Sequence, residues 1–406
     1  MHILFLTDNF PPEGNAPATR TFEHAREWVK QGHEVTVITC APNFPEGILF
    51  DGYLNKWCQR ETMQGINVVR VKTYITANEG FTRRILDYIS FGIMACIVGL
   101  FQKNPDVIVS TSPQFFCACG AWVLSVLRWK PWVFELRDIW PASITAVGAM
   151  EKNRVIRMLE KIEMFLYRRA DRIVSVTNSF KDELIERGID GTKIDVVVNG
   201  VDLSTYTPAA TKDENLAAEY KLAGKFVVGY VGTHGMAHAL DKVLYAAELL
   251  QNEDDIRILF AGGGAERTNL EQLVLQRALT NVVMMPRQPK DMMPAVWSLC
   301  DIALISLRDA SLFTKVIPSK IFESMGMGLP MVISCPEGEG TQIIRDTQSG
   351  VVVSPEDPEL LALRIRQLYQ DPEHLAKLAH ASGDAAKLYD RSRQAKLMLD
   401  SLRSLG

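Results

Sequence analysis

The chain has 406 residues, 47% hydrophobic and 23% charged, a composition that fits two globular domains, each with its own core. A net charge of −4 argues against bulk electrostatic binding of nucleic acid, and no nucleic-acid partner is expected. Seven scattered cysteines without a Cys-x-x-Cys pair point to a reducing, cytoplasmic compartment and no disulfide framework.

The opening run MHILFLTDNFPPEG has neither a cationic leader nor a small-residue cleavage site, and reads as a first strand. HILFLT and EVTVIT are short apolar runs bounded by turn residues. Between them, ATRTFEHAREWVKQG sets Phe22, Ala25, Trp28 and Val29 at helical spacing and stops at Gly32. Such a βαβ unit predicts a parallel sheet covered on both faces. INVVRV follows as another strand. The segment 83–103, RRILDYISFGIMACIVGLFQK, is apolar without interruption only from Tyr88 to Phe101, short of the roughly 20 residues a spanning helix needs. Two readings stand: a helix buried in a large domain, or a helix dipping one face into the inner leaflet with Arg83 and Arg84 at the headgroups. DVIVST, PWVFEL, RIVSVT and IDVVVN continue the strand series.

Near residues 203–225 the pattern breaks into a polar linker with a short helix. Alternation then restarts with KFVVGYVG, IRILFAGGG, NVVMMP, IALISL, PMVIS and GVVVSP. Two such series predict two Rossmann-like α/β domains, residues 1–205 and 206–385, with the final helical stretch, about 386–406, rejoining the first.

Three strand-to-helix junctions carry glycine: Gly14–Asn15, the run Gly232–Thr233–His234–Gly235, and Gly262–Gly264. Glycine permits close backbone approach, and free amides at a helix start suit an anion. None is a Walker A motif, and GTHGMA misses the dinucleotide spacing. There is no Asp-x-Asp, and His234 with His238 lacks a third ligand, so no metal site is expected. In PSKIFESMGMGLP, Lys320 and Glu323 share a helix face. Either they form an exposed ion pair, or the carboxylate receives a ribose diol while the lysine reaches a diphosphate.

These motifs resemble the retaining GT-B glycosyltransferases of family 4. The markers are the Gly14 loop, ELRDIWPAS at 135–143, VVVNGVDLSTYTP at 196–208, AGGGAERTNLEQL, and PSKIFESMGMGLPMVIS with GEGTQIIRDTQSGVVVSPED. The likeness extends to bacterial O-antigen N-acetyl-L-fucosaminyl transferases. It implies a GT-B fold, two facing Rossmann-like domains with an interdomain active-site cleft, and a UDP-sugar as donor substrate with no further cofactor. The implied acceptor is a lipid-linked saccharide such as an undecaprenyl-diphosphate sugar, met at the inner membrane face. Glu323 takes the family's ribose-binding place, and Gly14, Asn15, Gly232, Thr233, His234, Gly235, Arg287 and Lys320 become donor-binding candidates. Where the family has the first glutamate of a Glu-x7-Glu pair, this chain has Lys315. A basic pair usual in the 232–239 loop is also absent, which assigns the diphosphate charge to Lys320, with Lys315 in support. Asp138 and Arg137 stand where relatives carry a catalytic-region histidine, and with Lys315 they are the catalytic candidates. Two other readings share the architecture: a UDP-sugar 2-epimerase and a non-catalytic nucleotide-sugar-binding protein.

Overall fold

The computed structural model describes residues 1–44, 46–76, 81–140 and 154–405, so Pro141–Ser143 of the ELRDIWPAS run lie outside it. The chain divides into two compact units, Met1–Val198 with the C-terminal segment from Arg391, and Asn199–Asp390.

The first unit is built on eight strands: β1 His2–Leu6, β2 Glu34–Cys40, β3 Cys58–Met63, β4 Ile66–Val71, β5 Val107–Thr111, β6 Trp132–Leu136, β7 Arg172–Ser175 and β8 Ile194–Val196. Their order is β3-β4-β2-β1-β5-β6-β7-β8, parallel except for the β3–β4 hairpin. The central strands are buried throughout and mostly apolar because helices cover both faces. Helices Ala16–Lys30 and Arg391–Arg403 pack together on one side, where the Trp28 indole donates to the Ala395 carbonyl at 2.8 Å. On the other side Phe81–Leu100, Phe115–Arg128 and Arg154–Arg169 form a second layer. Phe81–Leu100 and Phe115–Arg128 touch backbone to backbone: a Cβ on Gly120 would lie 2.3 Å from the Gly92 carbonyl oxygen. Among the described residues, no helix is long and apolar enough to cross a membrane.

The second unit carries β9 Phe226–Val231, β10 Ile256–Ala261, β11 Val282–Met285, β12 Ile302–Ser306, β13 Met331–Ser334 and β14 Gly350–Val353. All six are parallel, in the order β11-β10-β9-β12-β13-β14. The polar stretch before β9 contains the short helix Glu214–Glu219, capped by the Asp213 side chain. In each sheet the order reverses beside the first strand, at β1/β5 and at β9/β12. Loops diverge there at the carboxyl ends, which is where open α/β sheets take ligands.

Candidate functional site

In the second unit the loops after β9 and β12 lie on either side of that switch point. The 232–235 segment continues β9 in extended form, so its amides alternate. The N–H groups of Gly232 and His234 donate to the carbonyls of Ala261 and Gly263, both at 2.8 Å. No described residue accepts from the N–H of Thr233 or Gly235. The donors available to an anion are therefore those two, and the Gly232 amide, an obvious candidate from its glycine, is engaged inside the fold. The Gly262–Gly264 run is packed tightly against the β9 loop. A Cβ on Gly262 would meet the Gly232 carbonyl oxygen at 1.9 Å, and one on Gly264 the His234 oxygen at 2.4 Å. These glycines let two loops touch.

The His234 ring is fully buried between Tyr230 and Phe260, with neither nitrogen hydrogen-bonded. Burial, with Arg267 and Lys320 nearby, holds its pKa down at about 4. This candidate is thus a neutral core aromatic, with no atom turned outward. His238, hydrogen-bonded to the Ser306 carbonyl at 3.3 Å, is likewise pushed down to about 4, by burial and Lys320.

Lys320 begins the helix Lys320–Gly326, and its stem runs back beneath the β9 loop. The ammonium sits 4.9 Å from the centre of the Tyr230 ring, and no described residue accepts a hydrogen bond from it. Burial lowers its pKa while Glu323, one turn on, opposes the shift. A carboxylate oxygen of Glu323 accepts from the Trp297 indole at 3.2 Å, which fixes its direction. Lys315 is half-buried and ends the short turn Ser311–Lys315 in the loop between β12 and Lys320. Arg287 is exposed after β11, beside Gly263. The structure thus gathers Gly232, Thr233, Gly235, Lys320 and Glu323 at the carboxyl end of the sheet's central strands, with Arg287 farther along, after β11.

A Cβ at Gly232, where φ is +142°, would lie 2.5 Å from Lys320 Cε and 2.8 Å from Nζ. Gly232→Ala should therefore displace the ammonium at modest expense to the fold. We expect at least a tenfold fall in kcat/KM, with about 1–2 kcal/mol lost in thermal unfolding from the disfavoured backbone. An unchanged kcat/KM would show that Lys320 need not lie where it does.

In the first unit, Gly14 is exposed and its Cα faces open space, with no neighbour within 4 Å of a Cβ built there. Asn15 is occupied at both ends of its carboxamide. It caps the Ala18 amide at 2.9 Å and donates to Asn9 at 2.6 Å. At the end of β6, the Ser112 hydroxyl accepts from the amides of Arg137 (2.7 Å) and Asp138 (3.1 Å), shaping the turn that holds both. Arg137 does not pair with Asp138. Burial pushes its pKa down to about 10, and the carboxylate that supports its charge is Glu135. Asp138 lines a narrow cleft with Ser112, Phe115, Trp140 and Tyr167.

The sequence reading passed over two further groups. Arg20, with no exposed surface, binds Glu135 at 2.8 Å and the carbonyls of Val198 and Val197 at 2.8 and 2.9 Å. Burial opposes ionisation of Glu135, yet Arg20 and Arg137 outweigh it and hold the carboxyl below its ordinary range. The second is an acidic group beside the first loop. Glu13 Oε1 accepts from the amides of Asn43 and Phe44, while its buried Oε2 has no partner. Burial, then Glu13, raises Asp8 to about 8 and Asp87 to about 7. In the unfolded chain both carboxyls ionise near pH 4, so the folded state binds more protons between there and neutrality. Stability contributed by these groups is full below about pH 4 and declines up to about pH 8. Asp87→Asn should raise Tm more at pH 8 than at pH 5; an equal gain at both would refute this.

Residues 18–205 match the family model described as Glycosyltransferase Family 4, and residues 211–387 that described as Glycosyl transferases group 1. The colanic acid biosynthesis glycosyl transferase WcaI of Escherichia coli K12, itself described as putative, is 26% identical over 383 residues, 92% of this chain and 93% of that protein. Among solved structures, sucrose-phosphate synthase from Thermosynechococcus elongatus superposes with a TM-score of 0.79 at 15% identity, covering 100% of this chain and 98% of that one. Anabaena Alr3699/HepE, solved in complex with UDP-glucose, gives 0.75 at 17% identity over 100% of both chains. The order of two parallel-sheet units, each matched by a glycosyltransferase model along nearly its whole length, leads to one assignment: the chain belongs to the GT-B glycosyltransferases of family 4.

Proposed function

We propose that the protein transfers a sugar from a UDP-sugar to a lipid-linked saccharide, with retention at the anomeric carbon, during assembly of a surface polysaccharide of the O-antigen kind. The observation that carries the donor half is the Lys320 ammonium, held against the β9 loop with no anionic hydrogen-bond partner beside two unengaged amides. That arrangement suits a diphosphate, and the solved relative in complex with UDP-glucose agrees with it. Glu323, aimed by Trp297, receives the ribose hydroxyls. The name of the colanic acid relative supports a polysaccharide product. N-acetyl-L-fucosamine is the sugar we favour, from the sequence resemblance.

In the reaction the acceptor oxygen bonds to the anomeric carbon as its bond to the β-phosphate oxygen breaks. The acceptor proton passes to that departing oxygen. Charge grows on the diphosphate, and Lys320 with the Thr233 and Gly235 amides stabilises it more in the transition state than in the ground state. In this reading the charge is met by protein groups, without a metal or a cofactor beyond the donor. Asp138 and Arg137 orient the acceptor or reacting sugar, with Lys315 near the donor sugar. The enzyme works at the inner face of the cell membrane, where residues 83–103 make peripheral contact.

The test is a panel of UDP-sugars, UDP-N-acetyl-L-fucosamine included, with and without undecaprenyl-diphosphate-N-acetylglucosamine. Acceptor-dependent UDP release and a product keeping the donor's anomeric configuration are expected. An inverted product, or an isomerised UDP-sugar formed without acceptor, would overturn the proposal; the latter is epimerase chemistry.

A further inference from the structure

The outer surface of the helical layer Phe81–Leu100, Phe115–Arg128 and Arg154–Arg169 has no role in the site described above. It is unusually apolar for a free surface. Ile93 and Ile97 on the first helix, Val126 and Leu127 on the second, and Val155 and Met158 on the third are all about half exposed. At the C-terminal ends of the first two helices, Phe101 is 79% and Trp129 92% exposed. The Arg128 guanidinium bonds the carbonyls of Leu100 and Gln102, holding those two ends together.

Trp129 is the informative residue. It caps its helix in the left-handed conformation, with φ of 54°, where glycine or asparagine is the usual choice. A tryptophan there carries backbone strain, and the indole gains almost no packing in return. Among the described residues, nothing accounts for it. The third helix adds charge. Arg154, Arg157, Lys161, Arg168 and Arg169 are exposed on it, against the half-buried Glu160, while Glu163 is buried against Arg187 and Tyr167. A strongly basic surface beside an apolar one stands out in a chain whose net charge is −4.

We infer that this three-helix face docks on an anionic lipid bilayer, with Trp129 and Phe101 entering the headgroup boundary and the Arg154–Arg169 helix lying against lipid phosphates. The contact is wider than the single apolar stretch 83–103, and its anchor is a residue outside that stretch. A second copy of the chain fits less well, because a two-fold contact through this face would set its basic helix against the same face of the partner. The inference deepens the lipid-linked-acceptor reading, but needs no sugar chemistry.

Co-sedimentation of the full chain with saccharide-free vesicles tests it, using pure phosphatidylcholine and phosphatidylcholine with about a third phosphatidylglycerol. Binding should require the anionic lipid and weaken with salt. Trp129→Asn should lower vesicle affinity roughly tenfold without lowering Tm, since asparagine accepts the left-handed backbone. Ile93→Glu with Ile97→Glu should abolish binding. Trp57→Asn, which removes an exposed indole elsewhere in the unit, should leave it unchanged. Failure to bind anionic vesicles, or equal loss from Trp57→Asn and Trp129→Asn, would overturn the inference. So would a concentration-dependent dimer that the isoleucine changes abolish, with no vesicle binding. Vesicle binding by a protein inactive on every lipid-linked acceptor would uphold this face while removing the acceptor reading.

Discussion

Lys320→Ala is expected to lower kcat/KM for sugar transfer by about 10²- to 10³-fold, roughly 3–4 kcal/mol at the transition state. The size follows from three features. The ammonium lies against a Tyr230 ring face and the β9 loop, so its charge is delivered where the unengaged amides of that loop are. The two histidines nearby are held neutral chiefly by burial, which persists when Lys320 is removed, so they do not substitute near pH 7. The stem is confined under Gly232, so the charge is already in place when the leaving group develops its own. Lys320→Arg should recover little, because a planar guanidinium does not fit the space left by a compact ammonium. Tm should change little or rise, since a partly desolvated charge has been deleted. Steady-state kinetics on purified variants would decide it, and a loss under threefold for Lys320→Ala would remove Lys320 from the mechanism.

The largest effect on stability is expected at Glu135. Glu135→Leu leaves Arg20 and Arg137 buried beside one another without their shared counter-charge, a loss of about 3–5 kcal/mol. At roughly 2–4 °C per kcal/mol for a unit of this size, Tm of the first unit should fall by about 10 °C. Arg20→Met also releases the Val197 and Val198 carbonyls. The double variant should recover part of the loss but not all, because Arg137 stays buried. Calorimetry of the four proteins would show this as a coupling; strictly additive losses would mean that the pair is no pair.

The strand order of both sheets rests on runs that were plain in the sequence, since a buried parallel strand is simply apolar. β3 was not plain. CQRETM alternates between exposed and half-buried positions on a sheet edge, and its polar side chains hide it. The available signal was Gln64–Gly65, both at positive φ, a two-residue hairpin turn before INVVRV. The β9 loop and Lys320–Glu323 were legible because glycine and a charged pair at a helix start are local patterns. What was hidden depends on partners far apart in sequence. Arg20 finds Glu135 and Val198 only once the sheet has formed, and Asp87 meets Glu13 from within an apolar helix. The glycine run 262–264 shows the converse. Its pattern suggested phosphate, and its geometry answers to the loop beside it.

The most direct test of the account is calorimetric binding of UDP and of uridine to the wild type, Lys320→Ala and Glu323→Gln. If Lys320 meets the diphosphate and Glu323 the ribose, UDP binds the wild type more tightly than uridine does. That margin then collapses in Lys320→Ala, while Glu323→Gln weakens both ligands and keeps the margin. A margin that survives the loss of Lys320 would place the diphosphate elsewhere and contradict the account at its centre.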